Sequence, residues 1–283
     1  MKRPGTKIFL DSGDPEETKT VLKALGWLDG QTTNPTLIAK SPEAAARKEQ
    51  GQPFTNEELL EFYQHVVQKI SHLIPQGSVS IETYADRTTT AADMLNQARQ
   101  FNAWIPNAHI KFPTTAEGLK AAQQALAEGI RVNMTLVFSQ AQAAAVYAAT
   151  AGAKRGDVFL SPFIGRLDDI GQNGIELIRN IQRMYFGGDG HVMVLAASIR
   201  SIAPLQSLLG LKVDITTAPA KVLLAWAGGK DASAALTQLK SIPDEALSLN
   251  ADWQSFDLHH ELTDKGIAKF SEDWNSLLQA AVK

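Results

Sequence analysis

The sequence predicts a single-domain (β/α)8 barrel of the TIM type, with extra helices at its C-terminus. Eight short apolar runs occur along the chain, most of them are followed by a helical pattern, and 283 residues is an ordinary length for one such barrel. The chain shows no interdomain linker and no internal repeat. We therefore expect one barrel domain over residues 1–283, with 231–283 as a helical C-terminal extension.

The eight apolar runs are the candidate strands. Several are rich in Val and Ile with little alternation, which is typical of strands buried on both faces of a parallel sheet. The second run is the weakest, and its position in the rhythm supports it as much as its composition does. The predicted strands are Lys7–Leu10, Leu28–Gly30, Val79–Ile81, His109–Phe112, Arg131–Leu136, Val158–Leu160, Val192–Leu195 and Val213–Ile215.

Helical patterns fill the intervals between these strands. The segment Thr115–Glu128 carries one apolar stripe at helical spacing. Thr114 followed by Glu117 predicts a capping box at its start, and Ser139 followed by Gln142 predicts a second one before an alanine-rich helix.

Two segments depart from the regular rhythm. The long connection Ala39–Asn56 lies between the second and third strands, and its Gly51-Gln52-Pro53 sequence predicts a helix break there. The tail 231–283 contains no strand candidate, and we expect it to be helical.

Composition excludes several functional classes. The net charge is −3, so no overall basic field favours nucleic acid or an anionic membrane. The absence of cysteine removes disulfides, thiolate nucleophiles and cysteine-ligated metals, and it is compatible with a reducing compartment. Neither a signal-like N-terminus nor an apolar run long enough for a membrane span is present, so we expect a cytoplasmic protein.

Polar side chains occur at the carboxyl ends of seven successive predicted strands. In a parallel barrel these ends meet at one face, where active sites lie, and purely structural strands need no such groups. The sequence therefore predicts a functional site from Asp11, Thr33, Asn34, Glu82, Lys111, Asn133, Thr135, Ser161, Arg166, Ser198 and Arg200.

Lys111 is the most informative of these residues because it lies inside an apolar strand. Burial of a charged amine is costly, so we expect its pKa to be lowered and the neutral amine to be available to form a Schiff base with a carbonyl substrate. Asp11 and Glu82 are the candidate proton carriers, and Arg166 and Arg200 suit a phosphate. The alternatives are a salt-bridged or snorkelling lysine, carboxylates that only pair with it, and arginines in surface ion pairs.

Four segments together resemble the transaldolase family. They are GQTTNPTLI at 30–38, HIKFP at 109–113, NMTLVFS at 133–139 and SPFIGR at 161–166. They occur in the family's order, and the resemblance covers about residues 7–226. As a set they are far more specific than a single lysine in a strand.

The resemblance implies a class I aldolase-type enzyme of non-oxidative pentose phosphate metabolism that needs no metal and no cofactor. Lys111 would form a Schiff base with a ketose phosphate and hold a dihydroxyacetone unit, which then passes to an aldose phosphate. Asp11 would shuttle the proton of the cleaved hydroxyl, and Glu82 would act through a water held by Thr135. Arg166, Ser198 and Arg200 would bind the terminal phosphate. The full set of implied substrate-binding residues is Thr33, Asn34, Asn133, Ser161, Phe163, Arg166, Ser198 and Arg200.

Two alternative functions stay open at this point. The related fructose 6-phosphate aldolases, which use free dihydroxyacetone, carry tyrosine where this chain has Phe163, and the Ser198-Ile199-Arg200 segment also resembles transaldolase proper. A non-catalytic sugar-phosphate-binding barrel is the other alternative, and a reactive amine beside two carboxylates argues against it. Sugar phosphates are the expected partners, a homo-oligomer is compatible with the sequence, and the preferred sugars are not determined.

Overall fold

A computed structural model describes residues 2–230 and 239–278. Within them, eight parallel strands close into a barrel in which each strand pairs with the next and β8 pairs with β1, which confirms the predicted fold class. The strands are β1 (Lys7–Asp11), β2 (Gly30–Thr32), β3 (Ser78–Glu82), β4 (Ala108–Pro113), β5 (Val132–Val137), β6 (Val158–Pro162), β7 (Val192–Ala196) and β8 (Ile215–Ala218).

Helices surround the barrel and continue beyond it. None of the described helices is both long and apolar enough to span a membrane. A 3-10 helix covers Trp253–Ser255. The α-helices are α1 (Pro15–Leu25), α2 (Pro35–Ala39), α3 (Pro42–Glu49), α4 (Asn56–Leu73), α5 (Ala91–Asn102), α6 (Ala116–Ala127), α7 (Gln140–Ala149), α8 (Ile164–Asp169), α9 (Gly174–Tyr185), α10 (Ile202–Gly210), α11 (Ala220–Ala227) and α12 (Glu261–Asn275).

Two strands begin two residues later than predicted, β2 at Gly30 and β8 at Ile215. In both cases an aspartate side chain accepts a hydrogen bond from one neighbouring strand just before the strand starts, while its backbone carbonyl accepts one from the strand on the other side. Asp29 accepts from the Ile8 N–H at 2.9 Å, and Asp214 accepts from the Val194 N–H at 3.0 Å. The apolar residues before each aspartate are buried without belonging to the ladder, so burial alone misplaced the strand ends.

The two predicted capping boxes have different outcomes. The Ser139–Gln142 box is confirmed at the start of α7. The Thr114–Glu117 box is wrong, because Thr115 caps α6 and accepts from the Gly118 N–H. The Thr114 hydroxyl instead donates to the Thr135 carbonyl at 2.9 Å. Either of the two adjacent threonines could cap the helix, but the hydroxyl of the first is hydrogen-bonded to β5, so the second forms the cap.

The helix break near Gly51-Gln52-Pro53 is confirmed, since α3 ends before it and α4 begins after it. The helical tail is only partly confirmed. The 3-10 helix and α12 are helical, but residues 240–252 are not. This stretch lies on α9, where Glu176 accepts from the Ile242 N–H and Asn180 donates to the Ile242 carbonyl, so side chains satisfy its backbone without a helix. The rest of the predicted extension, 231–238 and 279–283, lies outside the described residues.

Side chains fill the barrel in three layers, as is usual for this fold. The lowest layer, at the amino ends of the strands, contains Phe9, His109 and Phe159 in ring contact, with centroids 5.9 and 4.0 Å apart. A middle layer links β3, β5 and β6 through polar side chains. The uppermost layer, at the carboxyl ends, contains the ionisable side chains of Asp11, Glu82 and Lys111.

Candidate active site

The centre of the upper layer is a buried ion pair between β3 and β4. Lys111 Nζ lies 2.6 Å from Glu82 Oε2 and donates a second hydrogen bond to the Thr33 carbonyl at 3.0 Å. The two side chains are only 3% and 4% exposed. Strand register places them side by side, because Glu82 on β3 is the direct partner of Lys111 on β4.

Burial dominates the electrostatics of Glu82. Desolvation raises the pKa of its carboxyl, and the positive charge of Lys111 only partly offsets that rise. A carboxyl with a raised pKa accepts a proton more readily than an exposed glutamate does. The pair therefore combines an amine with a neighbouring group that can take and return its proton.

Asp11, at the end of β1, is the second carboxyl of the site. Its side chain accepts a hydrogen bond from the Thr32 hydroxyl at 2.7 Å, and Thr32 in turn contacts Thr217 on β8 at 2.7 Å. Desolvation raises the pKa of Asp11, while the Thr32 hydrogen bond and then the charge of Lys111 counteract the rise. The positive charge of Lys111 lowers the pKa of both Asp11 and Glu82, so the two carboxyls surround one amine; their role as proton carriers stays a prediction.

Hydrogen-bonded polar side chains link β6, β5 and β3 in the middle layer, and Asn133 is the direct strand partner of Lys111. Ser161 donates to Asn133 Oδ1 at 2.7 Å, and Asn133 Nδ2 donates to the Ser80 hydroxyl at 3.1 Å. Thr135 lies two residues after Asn133 on β5, and its buried hydroxyl has no hydrogen-bond partner within the described part of the chain. A buried hydroxyl without a protein partner is free to bind substrate or water.

The Thr33-Asn34 segment after β2 contributes mainly through its backbone and its fold. The Asn34 side chain caps α2 by accepting from the Leu37 N–H at 2.9 Å. The Thr33 hydroxyl lies between the Tyr63 hydroxyl, at 2.7 Å, and the Ser80 carbonyl, at 2.8 Å, so it bonds within the protein. It is the Thr33 carbonyl that reaches the amine, and sequence reasoning did not anticipate this.

The two predicted arginines lie close together beyond β6 and β7. Arg166, on α8, is partly buried, and desolvation together with the nearby charge of Arg200 lowers its pKa, against the carboxylates of Glu82 and Asp169. Arg200 is exposed and pairs with Asp169 at 2.7 Å. Two close guanidinium groups favour binding of an anion between them.

Gly165 makes this arrangement possible. A Cβ atom at this position would lie 2.1 Å from the Ser198 carbonyl and 3.0 Å from the Arg200 side chain, so no other residue permits the approach of the two loops. Ser198 itself adopts a left-handed backbone with φ 63°, which turns the chain after β7 toward α8. The glycine and the strained serine therefore bring Ser198 and Arg200 to Arg166.

Phe163 lines the same side of the site. It is 8% exposed, and its ring lies 5.9 Å from that of Phe138 and 5.1 Å from the Arg166 guanidinium. Its surroundings are therefore apolar and cationic, with no hydroxyl contributed by this position.

The C-terminal helix α12 covers the barrel mouth. Thr263 donates to the Leu136 carbonyl at 2.9 Å, and Phe270 lies 5.4 Å from the Arg166 guanidinium. At Gly266 a Cβ atom would lie 2.6 Å from Leu136 and 2.8 Å from Arg166. The sequence predicted helices in this tail but did not identify the glycine that allows this close approach.

Tyr63, on α4, is a further residue at the site that the sequence did not identify. Its hydroxyl accepts a hydrogen bond from the Glu82 N–H at 2.9 Å and contacts Thr33. The only signal in the sequence was a tyrosine on the apolar face of a helix, and such a residue is far more often an ordinary part of the core.

The fold and the site together define a (β/α)8 barrel with a buried lysine–carboxylate centre and an adjoining pair of arginines. Comparisons with known proteins agree with this class. The family model described as Transaldolase/Fructose-6-phosphate aldolase matches residues 8–281. The chain belongs to this family.

Curated relatives are similar along nearly their whole length. A "Probable transaldolase" of Dehalococcoides mccartyi is 37% identical over 96% of this chain and 99% of its own. A "Probable transaldolase" of Herpetosiphon aurantiacus is 39% identical over 97% of both chains. One of Lactiplantibacillus plantarum is 35% identical over 95% of this chain and 97% of its own. The chain is thus a transaldolase-type enzyme of the aldolase class.

Proposed function

We propose that the protein is a transaldolase that transfers a dihydroxyacetone unit through a Schiff base on Lys111. The donor would be sedoheptulose 7-phosphate or fructose 6-phosphate, and the acceptor glyceraldehyde 3-phosphate or erythrose 4-phosphate. These substrates belong to the non-oxidative pentose phosphate pathway. The observation that carries the proposal is the buried Lys111–Glu82 pair at the carboxyl end of the barrel, with a second carboxyl, Asp11, beside it.

The first step joins the amine to the substrate ketone. The Lys111 amine, having given a proton to Glu82, attacks C2 of the ketose, and a C–N bond forms as the carbonyl oxygen gains a proton. Loss of that oxygen as water then leaves a protonated imine. A water held by the Thr135 hydroxyl would carry the proton between Glu82 and the departing oxygen, and the free buried hydroxyl of Thr135 supports this role.

The second step breaks the bond between C3 and C4. The Asp11 carboxylate takes the proton of the C4 hydroxyl, C4 becomes the aldehyde of the released aldose, and the bonding electrons move into the imine to form an enamine. C3 of the enamine then attacks the acceptor aldehyde, and Asp11 returns its proton to the new hydroxyl. Water finally adds to the imine, frees the product ketose and restores the amine.

Substrate binding would use the groups around this centre. Asn34, Asn133 and Ser161 would hold donor hydroxyls, and Arg166, Ser198 and Arg200 would bind the terminal phosphate. The approach of the Arg200 side chain to Gly165, next to Arg166, supports the phosphate assignment, since each arginine alone is a common surface group.

Reductive trapping tests the proposal directly. Borohydride added with fructose 6-phosphate should leave a substrate adduct that peptide mapping places on Lys111. Lys111→Ala should abolish the adduct and reduce turnover by on the order of 10⁴ or more, because within the described residues Lys111 is the amine that lies against Glu82. The matched control is Lys120→Ala, an exposed lysine on α6, which should keep both. An adduct on another lysine in the wild-type protein would refute the assignment.

Release of dihydroxyacetone, as in a fructose 6-phosphate aldolase, is the competing activity. Phe163 favours transfer, because a phenyl ring among Phe138 and Arg166 offers no hydroxyl to hold a hydrolytic water. Turnover of fructose 6-phosphate should therefore require erythrose 4-phosphate.

Position 163 can be tested by adding that hydroxyl. Phe163→Tyr should raise dihydroxyacetone release several-fold relative to transfer, measured in parallel coupled assays with and without the acceptor. Phe138→Tyr, at the neighbouring ring, serves as the control for a new hydroxyl nearby. An unchanged ratio in Phe163→Tyr would mean that this position does not set the fate of the enamine.

A further inference from the structure

We propose that Tyr63, on α4, is a positioning residue for the Lys111–Glu82 pair, through hydrogen bonds that replace one missing rung of the β2–β3 ladder. This inference rests on the proposed function of Lys111. Tyr63 is fully buried, lies on a helix outside the barrel, and reaches the site only with its hydroxyl.

The ladder between β2 and β3 shows what the hydroxyl replaces. Thr32 pairs with Ser80, and the Thr33 N–H donates to the Ser80 carbonyl at 3.0 Å. In a parallel ladder the next bond would run from the Glu82 N–H to the Thr33 carbonyl. Here the Glu82 N–H donates to the Tyr63 hydroxyl at 2.9 Å instead.

The displaced carbonyl is the one that holds the amine. Thr33 O accepts a hydrogen bond from Lys111 Nζ at 3.0 Å. A backbone carbonyl engaged in a regular rung would offer less to a second donor, and its lone pairs would be aimed along the ladder. By satisfying the Glu82 N–H, Tyr63 leaves the Thr33 carbonyl to orient the Lys111 amine.

The proton assignments of this network are self-consistent. The Thr33 hydroxyl donates to the Ser80 carbonyl at 2.8 Å, so in its 2.7 Å contact with Tyr63 it must accept. Tyr63 therefore accepts from the Glu82 N–H and donates to Thr33. Burial raises the pKa of Tyr63 far above the working range, so the hydroxyl keeps the proton that this arrangement needs.

Aromatic packing holds the hydroxyl in place. The Tyr63 ring meets Phe101 and Trp104 edge-on, with centroids 6.0 and 5.8 Å apart, and lies 5.8 Å from Trp274 of α12. Phenylalanine would keep these contacts and delete only the hydroxyl. The substitution Tyr63→Phe is therefore a clean probe of the network.

The matched control is Tyr185→Phe on α9. Tyr185 is also buried, and its hydroxyl donates to the Ala143 carbonyl at 2.7 Å, away from the site. Both variants lose a buried hydrogen bond and should unfold at somewhat lower temperature. Only Tyr63→Phe should lower kcat, by about tenfold. KM for fructose 6-phosphate should change less than about twofold, because the substitution disturbs the orientation of the Lys111 amine and not the binding of substrate.

Trapping and a crystal structure complete the test. In Tyr63→Phe the rate of cyanoborohydride adduct formation on Lys111, with fructose 6-phosphate or dihydroxyacetone, should fall in parallel with kcat. In its crystal structure the Glu82 N–H should move onto the Thr33 carbonyl and Lys111 Nζ should leave it. Unchanged kcat and an unchanged Nζ–carbonyl contact would overturn the proposal.

Two further outcomes are separable. If wild-type protein forms no adduct with either ketone, the proposed function fails, and the crystal structure alone decides whether Tyr63 positions the amine. If Tyr63→Phe does not fold, Thr33→Val replaces it, since valine keeps the shape and removes the acceptor of the Tyr63 proton. Thr33→Val should then lower kcat at constant KM, and unchanged kcat would overturn the proposal.

Discussion

The two ends of the barrel bury polar groups in opposite ways. At the lower end His109 stacks on Phe159, and its two ring nitrogens lie 2.7 Å from the Ser78 hydroxyl and 2.8 Å from the Gly156 carbonyl. At the upper end Glu82 is buried and Asp11 is half-buried, and the pKa of each carboxyl stays raised in spite of its hydrogen-bond and charge partners. Both ring nitrogens of His109 in the lower layer have hydrogen-bond partners, whereas the Thr135 hydroxyl in the upper layer has none within the described residues.

The pKa shifts express this difference. Desolvation lowers the pKa of His109 to about 3, so the lower end holds a neutral ring throughout the working range. Desolvation raises the pKa of Asp11 and Glu82, which moves these carboxyls toward the range where they can exchange protons. The same physical cause, desolvation, thus gives a neutral imidazole at one end and carboxyls with a raised pKa at the other.

After the loss of Lys111 itself, the largest effect is expected at Asp11. Asp11→Asn keeps the shape and can still accept from Thr32, but it cannot take the C4 hydroxyl proton, so kcat should fall by about 10²–10⁴. Its folded-state pKa is raised, so the stability it contributes is present below its unfolded pKa and is lost as pH rises through the folded value. The variant should therefore be at least as stable as wild type at pH 7, with the difference vanishing in acid.

Chemical denaturation of Asp11→Asn and wild type at pH 7 and in acid measures the predicted difference in stability. A transfer assay measures the predicted loss of kcat. A variant that lost activity and was also destabilised at neutral pH would show that Asp11 is a structural group like those at the lower end.

A smaller effect is expected at α12, the helix that covers the mouth of the barrel. Gly266→Ala would place a methyl group against Leu136 and Arg166, so α12 or the guanidinium must shift. We expect KM for the phosphorylated donor to rise about tenfold, with a smaller change in kcat. Lys265→Ala, on the exposed face of the same helix, should leave KM unchanged. If Gly266→Ala behaves like this control, α12 does not shape the phosphate site.

The smallest effect is expected at the lower end. Because His109 has a lowered pKa, the unfolded chain binds its proton at higher pH than the folded chain does. Stability should therefore fall as pH drops below about 6.5, by up to about 1.4 kcal/mol per pH unit from this group. His109→Gln should remove that slope without changing kcat. Denaturation at pH 7 and pH 5 measures it, and equal slopes in both proteins would contradict the assignment.

Local patterns predicted most of the barrel. The eight buried runs and the spacing of polar residues at their ends identified Asp11, Glu82 and Lys111 correctly as neighbours, because parallel strands must align their carboxyl ends. The errors occurred where side chains substitute for backbone partners. Asp29 and Asp214 delay two strands, and Thr115 rather than Thr114 caps α6.

By itself, the sequence determined the fold class, the family and the chemical character of the site, since hydrophobic periodicity and motif residues are local properties of the chain. The tertiary structure alone decided that Tyr63 completes the β2–β3 ladder, that the Thr33 carbonyl faces the amine, and that α12 meets the arginine. These depend on contacts between segments far apart in the sequence, such as that of Tyr63 with Trp274. No local pattern encodes which distant partner will satisfy a given buried polar group.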